Sequence, residues 1–504
     1  MINYSRQWLG WLSSLSIATV ISRILGFGRE VIFAMVFGAS ANFDGFITAS
    51  RIPNMLRRLF AEGALTQSFV PVLTEIKIKE NEHSTRAFQS AILSLLLLVT
   101  GTICLFFVIF PKQIISLYAW GLDASDPRLH VASTLLPIVG LFLPLISLIS
   151  FYCSVLNTHK RFFVAGVLPA ISNVVLIVVA WSSNGVSQGV YYLSWALVAG
   201  AVIQIMMVTF HARRLLKGVG FTSQIFHPGV ARVFKMILAG MFGLSAVQLS
   251  LFLDGNLASF LPVGSMSWLY YAERLIYLPL GTIGVSLASI CLPSLSESIS
   301  KHNHQAAQRE LQRSAHMIFL LGIPSAVGLF FLAKPIISIL FERGEFLAKD
   351  VEMTALALQY FSFGLPFMML MKIWIAAAYS FKRVDLTVRA AFIAIAVNLI
   401  VALSFMGSIQ HCAISLAVST SSLVQASYLY MRLTKVSGLR IIDFASLKFL
   451  FFPLVAMVFV VMGFESYYVH GMLHAGLWLS ALIVSSVIVY FLTYFSIMRL
   501  NLVS

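Results

Sequence analysis

Apolar runs of about twenty residues, each long enough to cross a bilayer as a helix, recur along the whole chain between short polar connections. Fourteen such spans are read, at roughly 9–37, 43–76, 88–111, 130–156, 162–181, 189–212, 232–261, 266–299, 314–333, 352–381, 387–408, 411–431, 447–464 and 472–497. The pattern is interrupted most sharply between Ser22 and Gly63, where Arg23, Arg29, Arg51, Arg57 and Arg58 stand among residues apolar enough for lipid, with Glu30, Asp44 and Glu62 as the only acids. A charge at bilayer depth is costly and normally faces a cavity or a partner. The surplus of arginine over acid asks for an anion from outside the protein.

From Asp44 onward the stretch reads as one helix. Asp44, Arg51 and Arg58 are seven apart and share a face, Glu62 follows Arg58 at i+4, and Arg57 points about 100° away. Gly26 and Gly28, between Arg23 and Arg29, permit a break or bend in the first span. Broken helices that line a cavity are a transporter device.

Composition places the chain in its class. With 504 residues, 59% hydrophobic, 11% charged and a mean hydropathy of +0.91, it is expected to be an all-α integral membrane protein without a soluble domain. The formal charge of +15 does not point to nucleic acid, because the basic residues are scattered in short loops. Alternate connections, from Lys77, Lys79 and Arg86 through to Arg432, Lys435, Arg440 and Lys448, hold eighteen Lys and Arg. The opposite connections hold five, namely Lys112, Arg128, Lys334, Arg343 and Lys349. By the positive-inside rule both termini are cytoplasmic. Cys104, Cys153, Cys291 and Cys412 lie singly and form no ligand spacing. The run from Trp8 to Val20 lacks a small-residue cleavage site and is read as a retained first helix.

An internal repeat is visible. Arg51, Gly63 and Pro71-Val72-Leu73-Thr74-Glu75 in the second span are followed in the eighth by Arg274, Gly284 and Pro293-Ser294-Leu295-Ser296-Glu297. Six spans separate the copies, so both run the same way through the membrane. The expected organisation is a six-helix lobe over 1–220, a second over 221–440, and two additional helices in 441–504. Glu273 and Arg274 form a second charged point, and Lys372 sits within the tenth span, where its desolvation has to be compensated. Asp254, His411, His470 and His474 are read as solvated surface groups, and Gly364-Leu365-Pro366 as a bend.

No G-x-S-x-G, P-loop or H-E-x-x-H motif is present, and no acid-rich magnesium motif supports an enzyme acting on a polyprenyl diphosphate. A transporter is therefore favoured over an enzyme. A cation-coupled drug antiporter would call for acids in excess, opposite to this cluster.

SRILGFGRE, FGASANFDGF, RIPNMLRRLFAEGALTQSFVPVL, VLNTHKRF, SMSWLYYAERL and LPSLSES resemble the MurJ (MviN) lipid II flippases of the multidrug/oligosaccharidyl-lipid/polysaccharide exporter superfamily, over nearly the whole chain. The resemblance implies fourteen helices, in two six-helix lobes with two further helices forming a lipid-tail groove, in the bacterial cytoplasmic membrane. It implies lipid II as the substrate, carried from the inner to the outer leaflet by alternating access in a monomer among membrane lipids. No cofactor is implied, transport being coupled to the membrane potential or an ion gradient. Another polyprenyl-diphosphate-linked oligosaccharide is the alternative cargo. The family's functional charges map onto Arg23, Arg29, Asp44, Arg57, Arg274 and Lys372, with Arg51, Arg58, Glu62 and Glu273 as secondary positions. Departures are Glu30 and Glu273 where the family often has Asp, Tyr277 where it often has an acid, and Thr387-Val388 for a family Thr-Pro.

Overall fold

The structure is a computed structural model that describes residues 2–60, 64–465 and 475–503, with side chains described outside 2–18, 59–60, 64, 162, 238–247, 464–465, 475 and 500–503. Glu62, His470 and His474 lie outside the described residues. Every regular element among the described residues is helical. The first is α1 (Ile2–Phe37), followed by α2 (Ala41–Phe60), α3 (Ala64–Lys79), α4 (Glu82–Ile109), α5 (Pro111–Tyr118), α6 (Pro127–Gly140) and α7 (Phe142–Thr158). Next come α8 (Phe162–Ser182), α9 (Gly189–Ala212), α10 (Pro228–Ser259), α11 (Ser265–Pro279), a π-turn at Leu280–Gly284, α12 (Val285–Ser300), α13 (His304–Phe331) and α14 (Ala333–Phe341). The chain finishes with α15 (Ala348–Ser380), α16 (Val384–Ile409), α17 (Cys412–Ser437), α18 (Phe444–Leu447), a 3-10 turn at Lys448–Leu450, α19 (Phe451–Glu465) and α20 (Ala475–Val503). Eleven segments among the described residues are long and apolar enough to cross a membrane.

Several expected spans are composite. The second is described as α2 and α3, the fourth as α6 and α7, and the eighth as α11 and α12 joined through the π-turn that follows Pro279. Proline removes a helical donor, and a widened turn is one way to take up the lost bond. Conversely, α1 runs through Gly26 and Gly28 without a break, and α15 runs through Pro366 as one 33-residue helix. Two short helices that the apolar pattern did not announce, α5 and α14, follow α4 and α13.

The duplication is far more regular in the structure than in the sequence. Starting at Glu82, Pro111 and Phe162, helices α4, α5 and α8 each precede their counterparts α13, α14 and α16, which start at His304, Ala333 and Val384, by 222 residues. The turns follow the same register. Asn81 Oδ1 accepts from Ser84 N at 2.8 Å, and Asn303 Oδ1 from Ala306 N at 3.0 Å, so each copy is capped alike. Glu75 pairs with Lys79 at 2.9 Å and Glu297 with Lys301 at 2.5 Å. Lys160 and Lys382 both take a left-handed backbone, with φ of 61° and 56°.

By compactness the chain forms two units, one of 1–264 with Arg343–Phe346, the other of 265–342 with 347–504. This differs from the repeat boundary near 220: α10 begins the second copy yet belongs to the first compact unit. The reason is local. Gly229 comes against Ile76 and Phe88, Arg232 pairs with Glu75 at 3.0 Å, and Asn256 Nδ2 donates to Tyr118 O at 2.9 Å. In the second unit, α19 and α20 share an apolar core with α13, built on Leu320, Met457, Val461, Leu482 and Tyr490.

Candidate functional site

In the first unit the arginines do not form one stripe. Arg29, half-buried on α1, forms an ion pair with the buried Glu30 carboxylate, and its Nη1 donates to Asn173 Oδ1 of α8 at 3.0 Å. Its guanidinium also lies 5.5 Å from the centre of the Phe33 ring, within cation–π range. Helices α1 and α8 pack along their lengths, which sets Asn173 against α1. Arg23, two turns earlier on α1, is exposed.

Asp44 is fully buried at the start of α2, and its Oδ2 accepts from the backbone N–H of Gly264 at 2.7 Å. Gly264 sits at φ +94°, a conformation open to glycine and strained for other residues. The carboxylate thus holds the tight turn between α10 and α11. The expected pairing of Arg58 with Glu62 falls outside the described residues, and Arg58 itself is exposed while Arg57 is half-buried. Arg51 approaches α10: a Cβ on Gly255 would lie 1.9 Å from Tyr118 Oη and 3.1 Å from Arg51 Nη1. A side chain at 255 would therefore displace both groups.

Sequence reasoning missed Arg128. Counted as an outer-loop charge, it is instead buried, forks onto Asp126 (Nη2 to Oδ2 at 2.7 Å) and donates from Nη1 to Leu261 O at 2.9 Å. Its Nη2 also reaches Ser259 O at 3.4 Å. Helix α10 ends at Ser259, so Arg128 satisfies carbonyls that a helix terminus leaves open. Burial alone raises the Asp126 carboxyl, but hydrogen bonds from the Arg128 side chain and backbone outweigh it and hold the group below its ordinary value. The available signal was Asp126-Pro127-Arg128, an N-cap acid with a basic residue two positions on.

In the second unit, Glu273 and Arg274 are half-buried on α11, and the Arg274 guanidinium stacks 4.4 Å from the centre of the Tyr270 ring. Helix α11 is tied to α15 by Trp268 Nε1, which donates to Asp350 Oδ1 at 2.9 Å. Lys372 lies in the interior of α15 and is half-buried. Tyr277 is 46% exposed. Two expectations of solvated groups are corrected. His411 is 2% exposed, bonded through Nε2 to Met353 O at 2.8 Å and packed on Trp268. Asp254, a turn before the end of α10, is half-buried.

Comparison with known proteins gives a family. The model of "Lipid II flippase MurJ" matches residues 33–499. A Buchnera aphidicola protein named "Probable lipid II flippase MurJ" is 34% identical over 90% of this chain and 88% of its own length. A solved structure titled "Lipid II flippase MurJ, inward closed conformation" superposes with a TM-score of 0.83 at 26% identity, covering 97% of this chain and 99% of that one. An inward-facing multidrug resistance MATE family transporter of the MOP superfamily shares the fold, with a TM-score of 0.65 at 12% identity over 85% of this chain and 99% of its own.

Proposed function

The chain belongs to the lipid II flippase MurJ family, and from that premise we propose that it carries lipid II from the inner to the outer leaflet of the bacterial cytoplasmic membrane by alternating access. The cargo is an undecaprenyl-diphosphate-linked disaccharide-peptide. The observation that carries this reading is the set of arginines on α1, α2 and α11, with Arg29 as its best-defined member, half-buried, paired with Glu30 and bonded to Asn173. A diphosphate presents oxygens that a guanidinium binds in a fork, which is a reason for arginine rather than lysine. Arg23, Arg29, Arg57 and Arg274 are the proposed phosphate ligands, Lys372 a further cation of the path, and Asp44 the residue that shapes the turn at Gly264. Arg51, Arg58, Glu62 and Glu273 tune the local charge.

On this reading the protein works as a monomer of fourteen helices, in lobes of 1–220 and 221–440 related by the duplication, with both termini cytoplasmic. Helices α19 and α20 expose Phe452, Phe459, Leu477 and Leu492, an apolar surface suited to a polyprenyl tail and neighbouring lipids. The protein needs no cofactor and is a transporter rather than an enzyme, driven by an ion gradient or the membrane potential.

Depletion tests the reading: lipid II is expected to accumulate in the inner leaflet, and an unchanged leaflet distribution would exclude it. Within the site, Arg29→Lys and Arg274→Lys keep the charge but lose the fork. Each lost charge-assisted bond is expected to cost about 1.5–3 kcal/mol, lowering lipid II transport about tenfold to a hundredfold. Lysine variants that transport like the parent would mean that a point charge suffices.

A further inference from the structure

Asn173 is the one amide on the largely apolar helix α8, 7% exposed and turned toward α1. Its amide makes two bonds to α1: Nδ2 donates to Ser22 O at 3.1 Å, and Oδ1 accepts from Arg29 Nη1 at 3.0 Å. Only one orientation of the amide serves both partners, because the reverse would set an NH₂ against a guanidinium and an oxygen against a carbonyl. Between Ser22 and Arg29 lie Gly26 and Gly28, the least favourable stretch of α1 for helix formation. The approach depends on the first of them, since a Cβ on Gly26 would lie 3.3 Å from Asn173 Nδ2.

We infer that Asn173 is a positioning residue, which aims the Arg29 guanidinium at the anion and ties α1 together across Gly26 and Gly28. This rests on the reading of Arg29 as a diphosphate ligand. The chemistry explains why an amide stands there. Glu30 already supplies one carboxylate to Arg29, and a second would make the group net negative and repel an incoming anion. A neutral acceptor fixes the direction of the guanidinium without adding negative charge beside it. A bond on either side of the glycines also limits how far they let α1 bend, so the arginine's position does not drift with the helix.

A double-mutant cycle separates aiming from support of the fold. Full-length protein in lipid nanodiscs is titrated with lipid II, and thermal stability is followed in parallel. Asn173→Leu, similar in volume but without either bond, is expected to weaken lipid II binding about tenfold or more, the effect of a lost bond to a charged group. Arg29→Ala is expected to weaken it at least as much, and the double variant to bind no worse than Arg29→Ala alone, because Asn173 acts only through Arg29. Parent-like binding by Asn173→Leu, or losses that multiply in the double variant, would overturn the inference while leaving Arg29 a ligand. If Arg29→Ala itself binds lipid II like the parent, the diphosphate reading fails, and the inference with it. Asn173→Ala, carried through the same cycle, serves if leucine beside Gly26 prevents membrane insertion.

Discussion

The two copies of the duplicated half keep their ends and exchange their middles. At the helix ends, Glu75–Lys79 and Glu297–Lys301, the Asn81 and Asn303 caps, and the left-handed Lys160 and Lys382 occur in one register. Carried by the same 222 residues, the charged network of the first copy falls on apolar positions of the second: Arg29 on Leu251, Glu30 on Phe252, Asn173 on Ile395. Asp44 likewise falls on Met266, whereas Arg51 falls on a charge of opposite sign, Glu273. Caps and turns are needed by any helical hairpin of this shape, so both copies retain them. An intramembrane ion-pair network has no such structural necessity, because apolar side chains of similar volume fold at least as well there. Its presence in one copy only marks a task that copy performs.

Converting the first network into its counterpart gives the sharpest test. The triple change Arg29→Leu, Glu30→Phe and Asn173→Ile removes the Arg29–Glu30 ion pair and its amide support together, so neither charge of that pair is left without the other. It is expected to insert and fold, and to abolish lipid II transport in a leaflet-accessibility assay. Retained transport would dissolve the distinction between the copies. A smaller loss, in stability, is expected from Arg128→Met, which strips the donor from Leu261 O and leaves the half-buried Asp126 carboxylate with the backbone N–H of residue 128 but without its guanidinium partner. The cost is about 1–3 kcal/mol, read as a lowered melting temperature. The pair also fixes a pH dependence. Because the folded Asp126 carboxyl lies below its ordinary value, its contribution is fully present above the ordinary carboxylate range and is lost as pH falls toward the lowered value. Arg128→Met should therefore flatten the acid limb of the stability profile.

What the sequence disclosed and what it withheld divide along physical lines. The all-helical membrane class and the duplication were legible because they rest on runs of like residues and on landmarks such as Pro71 and Pro293. Helices α5 and α14 were not, since eight or nine residues trailing an apolar run carry no period of their own. The arginines announced themselves by desolvation cost, but Asn173 did not. A lone uncharged amide in α8 gives no signal until its partners, 144 and 151 residues earlier in the chain, are seen beside it. Arg128 and His411 misled for a related reason: a position between spans says nothing about whether a neighbouring helix end covers it.

Finer probes bear on the retained ends. Lys160→Gly and Lys382→Gly relieve a left-handed backbone that costs a non-glycine residue about 1 kcal/mol, so each is expected to raise the melting temperature, by similar amounts in the two copies. A gain in one copy alone would show that its turn is held for another reason. The smallest effect is expected from Lys79→Gln and Lys301→Gln. Both break exposed pairs that water and salt already weaken, and the two melting-temperature shifts should be slight and indistinguishable.

The allegiance of α10 to the first compact unit has a bearing on biogenesis. Chains enter the membrane from the N-terminus as they are synthesised, and a half defined by the duplication would be complete once α9 had emerged. The compact unit is not. Its apolar patch at Ile76 and Phe88 waits for Gly229, Glu75 waits for Arg232, and the buried Asp44 carboxylate waits for Gly264. Its last contribution, Arg343–Phe346, arrives some eighty residues after that; Glu345 N then bonds to Met35 O at 2.8 Å. Through this interval the nascent first half stands in the bilayer with a buried-type acid and an open helix flank. Insertion machinery or chaperones would have their longest opportunity to engage it there, and a ribosome stalled between residues 220 and 343 would leave the least protected intermediate.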